Sequence, residues 1–112
     1  MAGKYRIYKG KNEKFYFQLK AANGQVILQS QGYASKASAK NGIASVQKNC
    51  GTDACFERKV AKDGQHFFNL KSTNGQVIGS SEMYKAQASC ENGIASVGKN
   101  GPSEKVDDET AA

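Results

Sequence analysis

The sequence predicts an α+β domain: one continuous antiparallel sheet with two helices packed on a single face, related by a pseudo-two-fold axis. Three observations carry that expectation. Residues 15–49 return 51 positions later as residues 66–100, with no insertion between the copies. In each copy, hydrophobic alternation of period two is broken by Asn-Gly and then gives way to a helical period. A single copy would bury too little surface to be safely stable alone, so the two must share one core. The expected organisation is a single domain over 1–106, with repeats at about 4–52 and 53–106. Residues 107–112 are expected to be a disordered acidic tail, because they offer nothing to bury.

The elements follow in order. Tyr5, Ile7 and Lys9 alternate with Lys4, Arg6 and Tyr8 in a first strand, closed by the turn Gly10-Lys11-Asn12-Glu13. Phe15–Lys20 is a second strand, with Phe15, Phe17 and Leu19 on one face and Tyr16, Gln18 and Lys20 on the other. Asn23-Gly24 predicts a type I′ hairpin, which needs positive φ at both central residues, and Gln25–Gln29 returns as the third strand. The second copy repeats the pattern with Phe56–Val60, a turn at Asp63-Gly64, His66–Lys71, a turn at Asn74-Gly75, and Gln76–Ser80. Helices are predicted from about Lys36 to Lys48 and over the matching stretch, with Ala39, Gly42, Ile43 and Val46 on one face and Cys90, Gly93, Ile94 and Val97 repeating it. Glycine inside a helix costs roughly 1 kcal/mol against alanine. Its presence at 42 and 93 predicts close approach of each helix backbone to the sheet.

Charge is distributed unevenly. Residues 1–51 hold nine Lys/Arg against the single acid Glu13, a net +8; residues 52–102 hold six against five, a net +1. The last ten residues hold Lys105 against Glu104, Asp107, Asp108 and Glu109, a net −3. The start of the chain has no apolar run of a secretory signal, and Cys50, Cys55 and Cys90 are odd in number and non-equivalent between copies. Free thiols and a cytoplasmic location are therefore expected. No apolar run reaches the ~20 residues of a membrane span, so no membrane partner is expected.

Two copies of a strand-strand-strand-helix unit, each with Asn-Gly-Gln-Val-Ile in its hairpin and Asn-Gly-Ile-Ala-Ser-Val in its helix, resemble the YegP-like family of uncharacterised bacterial proteins, with tandem repeats of a domain of unknown function. The resemblance covers roughly residues 4–106. It implies two tandem β3-α-β units in one sheet, with their last strands exchanged between units, near Ala54–Arg58 and Glu104–Val106. It implies no activity.

The residues themselves give no catalytic constellation. His66, the one histidine, stands where the first copy has Phe15, which favours packing. One histidine and scattered cysteines do not assemble a four-ligand zinc site, and no cofactor is expected. Gly79-Ser80-Ser81 lacks the Gly-Lys-Ser/Thr ending of a phosphate-binding loop. A non-enzymatic module is expected. Its specific role is expected to be binding of nucleic acid, single-stranded or RNA, or of another polyanion, through the sheet face that the helices leave open. The residues for that face are Lys4, Arg6, Tyr8, Tyr16, Lys20, Phe67 and Lys71, since cations track phosphates and exposed rings stack bases. The alternative is a protein-interaction or stress-associated structural module. A monomer is expected in either case.

Overall fold

Each helix follows three strands in the computed structural model, which describes residues 3–110. They are β1 (Lys4–Lys9), β2 (Phe15–Lys20), β3 (Val26–Ser30), α1 (Lys36–Asn49), β4 (Phe56–Val60), β5 (His66–Lys71), β6 (Val77–Ser80), α2 (Gln87–Asn100) and β7 (Val106–Asp108). All seven strands form one sheet in the order β4-β5-β6-β3-β2-β1-β7. The copies meet at β3 and β6, where Gln29 faces Ser80 and Ser30 faces Gly79 in antiparallel register. A pseudo-two-fold axis between these strands relates β1 to β4, β2 to β5 and α1 to α2.

Each helix bridges the repeats. α1 packs on β2 of its own copy and on β5 and β6 of the other; α2 packs on β5 and also on β3 and β2. The core between them holds Tyr5, Ile7, Phe17, Leu19, Leu28, Val46, Phe68, Leu70 and Val97, all fully buried. Burying each such aliphatic or aromatic side chain stabilises the fold by roughly 1.5–3 kcal/mol. Gly42 and Gly93 allow the expected close approach. A Cβ on Gly42 would lie 2.7 Å from the Phe17 ring and 2.5 Å from the Tyr33 hydroxyl, and one on Gly93 would run into Tyr84 and Phe68.

The hairpins differ in type from the expectation. Positive φ falls on Gly24, Gly64 and Gly75 but not on the Asn or Asp before them. In each, the glycine N–H donates to the carbonyl three residues back, as Gly24 does to Ala21 at 2.8 Å, while Ala21 N–H donates to Gln25. The result is a three-residue loop, a type I turn closed by a left-handed glycine, rather than type I′. Asn23 supports it by accepting the Gln25 N–H at 3.0 Å on its side-chain oxygen, which needs no positive φ at Asn23.

The chain's last strand departs furthest from expectation. β7 begins at Val106, not Glu104, and joins β1 in parallel, so the sheet is antiparallel except at that edge. Where the sequence predicts a disordered tail over 107–112, Asp107 and Asp108 are placed in the strand and Thr110 donates to the Asp108 carboxylate; residues 111 and 112 lie outside the described residues. Cations supply what hydrophobic burial does not: Lys4 pairs with Asp107 at 2.8 Å, Arg6 with Glu109 at 2.8 Å, and Lys36 with Asp108. The first unit's last strand is also displaced, to Phe56–Val60, because Asp53–Cys55 form a 3-10 turn. Each last strand pairs with the other copy: β4 with β5, and β7 with β1.

Candidate nucleic-acid interface

Alternation fixes which side chains face away from the helices. Tyr5 and Ile7 point into the core, so Lys4, Arg6 and Tyr8 occupy the opposite face of β1. Register then sets Lys20 opposite Lys4, Gln18 opposite Arg6 and Tyr16 opposite Tyr8 on β2. In β5, Phe67 and Lys71 flank the buried Phe68 and Leu70 and share this face. All seven candidate residues therefore lie on the helix-free side. They form two groups, because β3 and β6 separate β2 from β5 by three strand spacings, about 14 Å.

The first group carries an aromatic pair. Tyr8 and Tyr16 stack with ring centroids 5.6 Å apart and planes at 17°, and the Arg6 guanidinium lies 4.4 Å from the Tyr8 centroid. Cross-strand pairing of this kind holds both rings in a fixed orientation on a rigid sheet. Phe67 stands beside Lys59 of β4 in the second group.

Between the groups runs a row of polar side chains that the sequence reading did not select. Across the sheet, register aligns Glu57, Asn69, Ser80, Gln29, Gln18 and Arg6. Asn69 donates to Glu57 at 3.2 Å and Ser80 to Asn69 at 2.6 Å; Gln18 donates to Gln29 at 2.8 Å and Arg6 to Gln18 at 3.1 Å. Gln29 also donates to the Tyr8 hydroxyl at 3.0 Å, tying the row to the stacked rings. Only the β3–β6 junction brings the two halves of this row together. Local sequence carries no signal for that adjacency.

Three of the four candidate cations have internal partners. Lys71 pairs with Glu57 at 2.9 Å, and its hydrogen bond, followed by that of Asn69, holds the Glu57 carboxyl below its ordinary pKa. Hydrogen bonds to Asp107 and Glu109 raise the Lys4 and Arg6 pKa values. The +8 of the first repeat is therefore partly matched by the acidic segment after the second.

The chain's chemistry elsewhere is limited. His66 and Cys90 line one cavity of about 240 Å³ with Arg58, Val60, Gln87 and Glu91. Burial, then the Glu91 charge, raises the Cys90 thiol pKa, which keeps it protonated and a weak nucleophile. His66 bonds through its backbone to Tyr84 where Phe15 bonds to Tyr33. Cys50, Cys55 and Cys90 are buried and unpaired. Among the described residues no group of three or more His, Cys, Asp or Glu side chains could hold a metal ion, and no helix is long and apolar enough to cross a membrane.

The same repeat is seen by comparison with known proteins. The model of a family described as a domain of unknown function, DUF1508, matches twice, at residues 11–57 and 61–108. The chain belongs to this family. Its DUF1508 copies each run from a β2-type strand to the exchanged last strand, so β1 precedes the first copy and the β4 strand spans the boundary. The chain is 51% identical to the UPF0339 protein ACIAD0721 of Acinetobacter baylyi over 98% of its own length and 99% of the relative's. It is 49% identical to the UPF0339 protein YegP of Escherichia coli K12, over 98% and 100% of the two chains. The solution NMR structure of E. coli YegP, described as a protein of unknown function, superposes with a TM-score of 0.93 at 49% identity, covering 97% of this chain and 94% of that one. E. coli YegP thus shares the fold over nearly the whole chain, and the descriptions of these relatives give no activity.

Proposed function

We propose that the helix-free face of the sheet binds single-stranded nucleic acid, RNA included. The observation that carries this reading is the Tyr8–Tyr16 pair, held on a face that neither helix covers and flanked by cations. Stacking on such rings is tolerant of sequence, because every base presents a π-face. Beside the rings, Gln18 and Gln29 offer amide donors and acceptors of the kind that pair with base edges. A sheet with helices behind and aromatic rings in front is also the arrangement by which small RNA-binding modules splay unpaired bases.

The test is fluorescence anisotropy of a labelled short oligothymidylate at low and physiological salt, with duplex DNA as control. Tyr8→Ala combined with Tyr16→Ala should weaken binding by roughly 1–3 kcal/mol per base stacked. Affinity should fall with rising salt as phosphates release counterions. An affinity untouched by the double substitution, in a protein that melts as the parent does, removes the rings from the site.

A second reading, a protein-interaction module, is favoured by one feature. Among the described residues β4 has no neighbour on its outer side, and Val60 there is 61% exposed. Strand edges of this kind accept an extended partner segment. A complex that forms through this edge would survive high salt, unlike one held by the cations.

A further inference from the structure

We propose that Lys4, Arg6 and Lys36 form a phosphodiester track along the β1 edge, which the chain's own Asp107, Asp108 and Glu109 fill until a single strand displaces them. This rests on the nucleic-acid reading above and names both a further residue, Lys36, and the regulation of that site.

The pseudo-symmetry makes the case. β1 and β4 are equivalent strands, yet among the described residues only β1 has a strand laid along its outer edge. The three cations that hold this strand have counterparts 51 positions on: Cys55 for Lys4, Glu57 for Arg6 and Gln87 for Lys36. None is a cation. The basic character of the first repeat at this edge is therefore not part of the common fold. It is specific to an edge that receives negative charge.

The acidic segment meets these cations on both sides of the sheet plane. Asp107 and Glu109 reach Lys4 and Arg6 on the helix-free face, while Asp108 turns to Lys36 at the start of α1. Arg6 is the same side chain whose guanidinium lies against the Tyr8 ring. On the helix-free face Asp107 and Glu109 therefore occupy cations contiguous with the stacking pair, and Asp108 occupies Lys36 on the helix side of the same edge.

β7 is built to be displaced rather than to anchor. It is three residues long, Val106 is 40% exposed, and both Val106 and Asp107 are solvent-facing. Backbone bonds from Tyr5 to Lys105 and from Glu109 to Ile7, each donor N–H to acceptor carbonyl, frame the pairing. The three-residue parallel ladder and the ion pairs supply the rest, and ion pairs at a solvated edge contribute little stability and are screened by salt.

The experiment uses the full chain carrying Asp107→Asn, Asp108→Asn and Glu109→Gln, which keep side-chain shape and remove charge. Oligothymidylate affinity is measured against salt concentration for this variant and the parent. A control chain with Glu82→Gln and Glu104→Gln raises net charge without freeing any of the three cations. The triple variant should bind at least about tenfold tighter at low salt, with a log–log salt slope steeper by about 0.7 per cation freed, up to about 2 in all. Adding Lys36→Gln to the triple variant should reverse about one third of that slope change. A triple variant no different from the control, while both bind, overturns the track and leaves the face as the site. Absence of binding in all of them overturns the nucleic-acid reading and the track together.

Discussion

Glu13 has the one positive φ outside glycine among the described residues, at 63°. Its turn, Gly10–Lys14, matches Ala61–Gln65 bond for bond: Gly10 N–H donates to Lys14 and Glu13 N–H to Gly10, as Ala61 does to Gln65 and Gly64 to Ala61. Asn12 accepts from Lys14 as Asp63 does from Gln65. Glu13 thus occupies the left-handed place that Gly64 fills in the second copy, where a side chain costs roughly 1–2 kcal/mol. Glu13→Gly should raise stability, by up to about 1 kcal/mol after the entropy that glycine loses on folding; urea unfolding measures it, and a destabilised variant would contradict the assignment. The positions of Gly24, Gly64 and Gly75 were legible in the sequence, as were the buried faces of the strands. The turn type was not, because Asn-Gly fits either a type I′ pair or a type I turn with a left-handed third residue, and only the hydrogen bonds distinguish them.

At the scale of elements, the two sheet edges are protected in different ways. Ile7 is fully buried on β1, which β7 covers; its counterpart on β4 is Arg58, held by Glu91 at 2.7 and 3.0 Å and by Asp53 at 2.8 Å. An inward-pointing charge on an open edge discourages edge-to-edge pairing. Arg58→Ile should therefore make the protein self-associate with rising concentration, seen by sedimentation; a variant that stays monomeric at all concentrations would show that Arg58 does not guard the edge. β7 carries a pH prediction. Hydrogen bonds from Lys4, Lys36 and Arg6 hold the carboxyls of Asp107, Asp108 and Glu109 below their ordinary values. Groups with depressed folded pKa values contribute their stability above the unfolded value, near 4, and lose it as pH falls through the folded one. β7 should detach below about pH 4, read by loss of hydrogen-exchange protection at Glu109 while the core amides stay protected. Protection at Glu109 that is unchanged through this range would contradict the role of the ion pairs. The sequence showed the acidic run but not its place, since a strand held by charge has no hydrophobic period to reveal it.

Over the whole molecule, the duplication accounts for the sheet, the shared core and the two helices on one side, all foreshadowed by the 51-residue register. Its departures from symmetry are what the proposed function rests on: a cationic edge in one copy, an acidic strand laid on it, and aromatic rings concentrated on β1 and β2. The candidate residues were legible as a common face because alternation alone assigns them to it. Their division into two groups, and the amide row joining them, depended on β3 pairing with β6, which no local pattern encodes. The most direct measurement is a chemical-shift titration of the labelled full chain with a short single-stranded oligonucleotide at low and physiological salt. The backbone amides of Tyr8, Tyr16, Gln18, Gln29 and Phe67 should shift progressively, more strongly at low salt, with the helices α1 and α2 unaffected beyond the Lys36 end. Shifts confined to the helices, or none at either salt, would contradict a nucleic-acid site on the open face.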